Sequence, residues 1–183
     1  SSIIPTDFNA PTASVTNSTA SSIVSSNITY NITFDQAVNY FTANSVDVTG
    51  GSVSSLSGSG KNYTLIVSPN SDSEGNITIS IPEGGAKDSS SNSNEAFTNS
   101  DQKFDTKAPT ITNVSKVGAN VVNGKVTGTM DFRIDFSEAG IANFTASDVA
   151  FSSKHSGHTV AITDPGYANG VNRRDISYKP ADG

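Results

Sequence analysis

The chain has 183 residues, 15% of them charged, and a net charge of −6, which leaves room for one large or two small domains. It contains no cysteine, which excludes a disulfide framework and Cys-ligated zinc. Acidic residues are scattered and no basic cluster exceeds Arg173-Arg174, which argues against nucleic-acid binding through a basic stripe, and no apolar run approaches the ~18–20 residues of a membrane span.

The chain opens on Ser1–Thr6, which carries Ile3 and Ile4 and is apolar for a free end. No signal peptide, lipidation or wall-anchor motif is recognisable, so an exported form is expected to be a mature or excised piece. Strands are then expected at 12–15 and 27–34. In the latter Ile28, Tyr30, Ile32 and Phe34 alternate with polar residues, the period of a half-buried strand. Further strands follow at 46–49, 63–67 and 77–81, separated by Gly50-Gly51, "SGSG", "PNSDSEG" and "PEGG". A last strand of this set is expected within 95–104. The second half predicts strands at 111–114, 124–127, 130–136, 159–163 and 175–179, with "DPG" (164–166) as a turn. No window of about 12 residues has a helical stripe; "FTANSVDV" and "FTASDVAF" suit one short turn capped by Thr42 or Thr145. The fold class is therefore all-β, and short strands at this spacing argue for a β-sandwich in each half.

The halves repeat. "ITFDQAVNYFTANSVDV" returns as "IDFSEAGIANFTASDVAF", and the linker "DFNAPT" as "DTKAPT". With "SGSGKNYTLIVSP", "GNITISIPEGGAKD" and "FDTKAPTI", these segments resemble the bacterial immunoglobulin-like repeat domains of surface and adhesin proteins. The resemblance covers nearly all of 10–112 and is weaker over 113–183. It implies two tandem immunoglobulin-like β-sandwiches: domain 1 at 9–106, domain 2 at 107–183, and a separate N-terminal segment at 1–8. It also implies an extracellular, cell-surface location and a role as stalk, spacer or adhesive module rather than as an enzyme.

The second copy is expected to lack its own last strand. Aligning "ITISIPEGGAKD" with "RDISYKPADG" at Pro82 and Pro180 leaves 95–104 without a counterpart. The N-terminal segment stands where a last strand would precede a linker. Two explanations stay open: a window cut from a longer array, or strand donation, in which Ser2, Ile3, Ile4 and Pro5 of one copy pair beside Ile176 and Tyr178 of a neighbouring copy. Under the second, the chain is a subunit of a surface filament or adhesin stalk. The alternative from another class is a carbohydrate- or calcium-binding module of a larger adhesin or secreted enzyme.

Few side chains suggest chemistry. Asp7 and Asp105 occupy equivalent linkers and are weak calcium candidates; no other cofactor is expected. His155 and His158 read as exposed loop residues, and Asp131, Arg133 and Asp135 as a charge ladder on the outer face of one strand. Asn27 and Asn31 sit in N-x-T sequons on a predicted outward face and are the glycan candidates. Phe34, Phe41, Phe136 and Phe144 recur at matching positions, as core residues do; the absence of Trp argues against a stacking platform for sugars.

Overall fold

A computed structural model of the chain describes residues 7–19, 21–138, 141, 143–152, 157–163 and 172–181. The chain divides into two compact units, Ser1–Lys107 and Ala108–Gly183. Ser2, Ile3, Ile4, Pro5, His155 and the "DPG" turn lie outside the described residues.

The first unit is a two-sheet sandwich. β1 (Ala13–Asn17), β3 (Ile28–Val38) and β5 (Gly51–Pro69) form one sheet in the order β1-β3-β5. β2 (Ile23–Val24), β4 (Asp47–Thr49), β6 (Glu74–Ile81) and β7 (Phe97–Asp105) form the other, in the order β2-β7-β6-β4. All pairs are antiparallel except β2–β7. β5 doubles back on itself: the Asn70 N–H donates to the Gly50 carbonyl (2.9 Å), and the reversal runs through Gly58 (φ 120°) and Gly60 (φ 64°).

Period-2 alternation builds the core. Ile28, Tyr30, Ile32 and Phe34 of β3, Leu65 and Val67 of β5, and Ile77, Ile79 and Ile81 of β6 are all buried, each contributing roughly 1.5–3 kcal/mol of transfer free energy. Phe34, Phe41 and Tyr63 close one end in edge-to-face contacts with ring centroids 4.9–6.1 Å apart. One buried amide ties strands across the sandwich. Gln102 sits at the β6–β7 bulge, donates to the carbonyls of Lys103, Ser21 and Ser22, and accepts from Asn17 Nδ2.

The second unit is built from β8 (Ile111–Val122), β9 (Lys125–Phe136), β10 (Thr159–Thr163) and β11 (Asn172–Lys179). They form one antiparallel sheet in the order β10-β11-β9-β8. The strands expected separately at 124–127 and 130–136 are one strand, continuous through Gly128 (φ 113°). β8 and β9 meet at Asn123-Gly124, with φ 50° and 77°. Two consecutive left-handed residues make the turn whose twist matches a hairpin, and Asn-Gly is its strongest sequence signal.

The register corrects the expected alignment of the chain's end. β5 pairs with β3 through Ile28↔Val67, Tyr30↔Leu65 and Ile32↔Tyr63. β11 pairs with β9 through Met130↔Tyr178, Phe132↔Ile176 and Ile134↔Arg174. β9 is the counterpart of β3, so β11 is the counterpart of the second half of β5, not of β6. β10, its hairpin partner, matches the first half. No second sheet is present among the described residues of this unit.

Candidate functional site

The site of interest is the inner face of this single sheet. Cross-strand neighbours point to one side, so the register puts Met130, Phe132, Ile134 and Phe136 of β9 on that face with Ile176 and Tyr178 of β11, Val160 and Ile162 of β10, and Val114 of β8. Ile141, Phe144, Val149 and Phe151 cover part of it. Phe144 packs edge-to-face on Phe136 (5.4 Å), and Phe151 lies 6.0 Å from Phe132 and 4.6 Å from Tyr178. Ile134, Phe136, Ile176 and Tyr178 are buried, while Val160 and Ile162 are half-buried. Val114 is 59% exposed, whereas Val15, its counterpart on β1, is partly buried against the core. Ile111, Val117, Val121 and Val122 along the same edge strand are also exposed.

Ile176 and Tyr178 were expected beside a vacant strand position. β11 is an interior strand, hydrogen-bonded to β9 on one side and β10 on the other, so no further strand can pair with its backbone. The sheet's edges are β8 and β10. Ile176 and Tyr178 are themselves buried in the face, at 2% and 3% exposure, so a partner on this sheet would meet Val114 and the half-buried Val160 and Ile162 instead. Nothing in the alternation of β11 distinguishes an edge from a centre, which is why sequence pattern misplaced it. The exposed β8 valines went unnoticed for a different reason: the expected strand stopped at Val114, although Asn123-Gly124 marks where the hairpin turns.

One substitution adapts the loop over the face. In the first unit the Tyr63 hydroxyl donates to the Val38 carbonyl at 3.4 Å. Its counterpart Arg174 donates from Nη2 to the Ile141 carbonyl at 2.7 Å. A long guanidinium thus holds the same loop that a buried aromatic holds in the complete sandwich. Both loops carry the expected short turn: Ser45 Oγ accepts from the Thr42 N–H (3.2 Å) and Asp148 Oδ2 from the Thr145 N–H (2.8 Å).

The outer face carries the charge ladder. Arg133 makes a two-pronged contact with Asp175 (2.8 and 3.0 Å), Arg173 bonds Asp135 (2.8 Å), and Ser177 donates to Asp131. The Arg133 bond holds the Asp175 carboxyl below its usual range, and the Arg173 and Asn113 bonds do the same for Asp135. These pairs account for the carboxylates on this strand as structure.

The linker aspartates have matching local roles. Asp7 Oδ1 accepts from the Asn9 N–H (2.9 Å) and Asp105 Oδ1 from the Lys107 N–H (3.0 Å), so each closes an Asx turn. Among the described residues no three His, Asp or Glu side chains gather to hold a metal ion. Asn27 and Asn31 are exposed; Asn27 accepts from Ser68 Oγ and Asn31 donates to Ser18 Oγ, both at 2.8 Å. His158 is half-buried rather than exposed, its ring stacked on Tyr178 at 5.4 Å. No helix among the described residues is long and apolar enough to cross a membrane.

The sandwich over the first unit coincides with a family match: the family described as Bacterial Ig-like domain matches residues 7–103, slightly more than half the chain. The chain belongs to that family. No curated protein matches it. Among solved structures, the N-terminal part of the bacterial S-layer protein SbsC aligns with 95% of this chain at 14% identity and a TM-score of 0.36. The chain spans 45% of the length of that structure.

Proposed function

We propose that this Ig-like chain is a structural, non-catalytic segment of a bacterial cell-surface protein, a subunit of a filament or adhesin stalk that joins neighbouring copies through the second unit. One observation carries the reading: the same strand plan is closed by a second sheet in the first unit and left with a half-covered apolar face in the second. Such a face favours a covering layer, since stacked sheets bury their inner residues at about 10 Å separation. The occupant we infer is a neighbouring copy, contributing its apolar N-terminal segment Ser2–Pro5. Because β11 has no free edge, that segment would lie across the face or extend the β8 or β10 edge.

Light scattering and electron microscopy of the full chain, of a chain lacking residues 1–5, and of Val114→Lys test this. Val114 is exposed, so the lysine leaves the fold intact while placing a charge on the face. Assembly of the full chain that both changes abolish supports the reading. A full chain that remains monomeric across the micromolar range overturns it, as does assembly that both variants keep. Surface exposure also leaves Asn27 and Asn31 open to glycans, which intact-mass analysis of protein from its native source would reveal.

A further inference from the structure

Tyr40 stands where a tyrosine fits poorly and adds nothing to the core. Its φ is 63° and its side chain is 83% exposed. Left-handed backbone suits glycine, asparagine and aspartate, and is an outlier for a bulky residue. Among the described residues, the other non-glycine positions with positive φ are Asp72, Ser91, Asn123 and Asn143, all short and polar.

The fold imposes this conformation. On one side Asn39 exchanges backbone hydrogen bonds with Lys87 (2.6 and 3.1 Å). On the other, Phe41 is buried against Phe34 and Tyr63. The second unit makes the same loop with Asn143, φ 61°, immediately before Phe144. There the residue suits its backbone, so the loop does not need an aromatic. Strain kept at an exposed aromatic is a pointer to binding.

The ring borders a depression of ≈ 510 Å³ lined by Asn44, Glu83, Gly84, Gly85 and Lys87. Its wall is bare backbone: Gly84 has φ 82°, and a Cβ on Gly85 would come within 3.2 Å of the Ser45 and Pro82 carbonyls. An apolar plate, a flat wall and three polar side chains of mixed charge match a ligand with one apolar face and a polar rim. We propose that Tyr40 is the stacking platform of a carbohydrate subsite that takes β-linked hexopyranose units. Equatorial substituents leave C–H groups on the ring face to pack on tyrosine, while hydroxyls at the rim reach Asn44, Glu83 and Lys87. A proline-rich peptide needs a groove lined by several aromatics, and no second aromatic lines this depression among the described residues.

The test is an amide NMR titration of the ¹⁵N-labelled full chain with chitotriose and with cellotriose, to about 10 mM, within the weak range where Kd of ~1 mM is measurable. Tyr40→Asn, which copies the second unit, is the partner variant; it creates an Asn-Phe-Thr sequon and is made in a host without N-glycosylation. Saturable shifts are expected at Tyr40, Asn44 and Gly84 with at least one sugar. Tyr40→Asn is expected to melt higher and to lose at least about tenfold in affinity. The proposal is overturned if neither sugar moves these amides, if the variant binds as well as the parent, or if only a proline-rich peptide shifts them.

Discussion

β3 and β9 are one strand in two surroundings. β3 lays Ile28, Tyr30, Ile32 and Phe34 against a complete opposing sheet, and all four are at most 1% exposed. β9 lays Met130, Phe132, Ile134 and Phe136 on the equivalent face, and of these only Ile134 and Phe136 are buried. Both strands are clipped near their C-terminal ends in the same way: Thr12 donates its N–H and hydroxyl to the Asp35 carboxylate (2.9 and 2.8 Å), and Thr110 donates its N–H to Ser137 Oγ (3.0 Å). Alternation therefore decides which face turns inward, while the depth of burial depends on a layer that the strand does not encode. Among the described residues the second unit has no second sheet, and larger or longer groups lie over the face: Phe151 on Tyr178, and Arg174 reaching the loop.

The largest expected effect tests that difference directly. Ile32→Ala should destabilise the first unit by about 2–5 kcal/mol, the range for a rigid core that cannot collapse on the cavity. Ile134→Ala should cost about half as much, since a half-covered face can relax. Urea unfolding followed through resolved NMR signals of each unit measures both; equal losses would mean that the two faces are equally covered. Next in size, Arg174→Leu should cost the second unit about 1.5–3 kcal/mol, the range for a hydrogen bond from a charged donor. Tyr63→Phe, which removes a longer neutral bond, should cost less in the first unit, about 0.5–1.5 kcal/mol; the reverse order would remove Arg174 from its role as loop holder. Smaller again, Gly124→Ala should cost about 1–2 kcal/mol, because φ 77° crowds a Cβ.

Much of the all-β plan was legible because side-chain period is local. The eight residues 27–34 alternate without a break, and the Phe34–Phe41 contact recurs as Phe136–Phe144, as their matching positions in the repeat implied. The order of strands across a sheet was not legible. "ITISI" and "DISYK" look alike as alternating runs, yet one lies in the second sheet as β6 and the other beside β9 as β11. Only hydrogen-bond register separates them, and register is a long-range property. The candidate face was hidden for the same reason, since exposure of Val114 follows from what does not lie opposite it. Tyr40 was hidden by composition: the absence of Trp argued against a stacking platform, whereas one exposed ring on a strained backbone is a matter of geometry.

The smallest expected effect separates how the two units hold their carboxylates. In the second, Asp175 and Asp135 are held below their usual pKa first by hydrogen bonds from Arg133 and Arg173, with coulombic attraction added. In the first, Asp35 is lowered by the Thr12 backbone and hydroxyl donors; burial opposes the lowering at Asp88, but donors from Asn92 and Ser90 outweigh it. A lowered folded pKa contributes stability that is fully present above the unfolded value of about 3.9, and that is lost as pH falls through the folded value. Both units should therefore melt progressively lower from about pH 4 downward. Salt should divide them, because charge pairs on an outer face are screened whereas hydrogen bonds from neutral donors are not. Added sodium chloride is expected to flatten the acid dependence of the second unit and leave that of the first unchanged. Asp175→Asn should flatten the second without salt. If salt alters both units alike, the arginine pairs do not set the acid response of the second sheet.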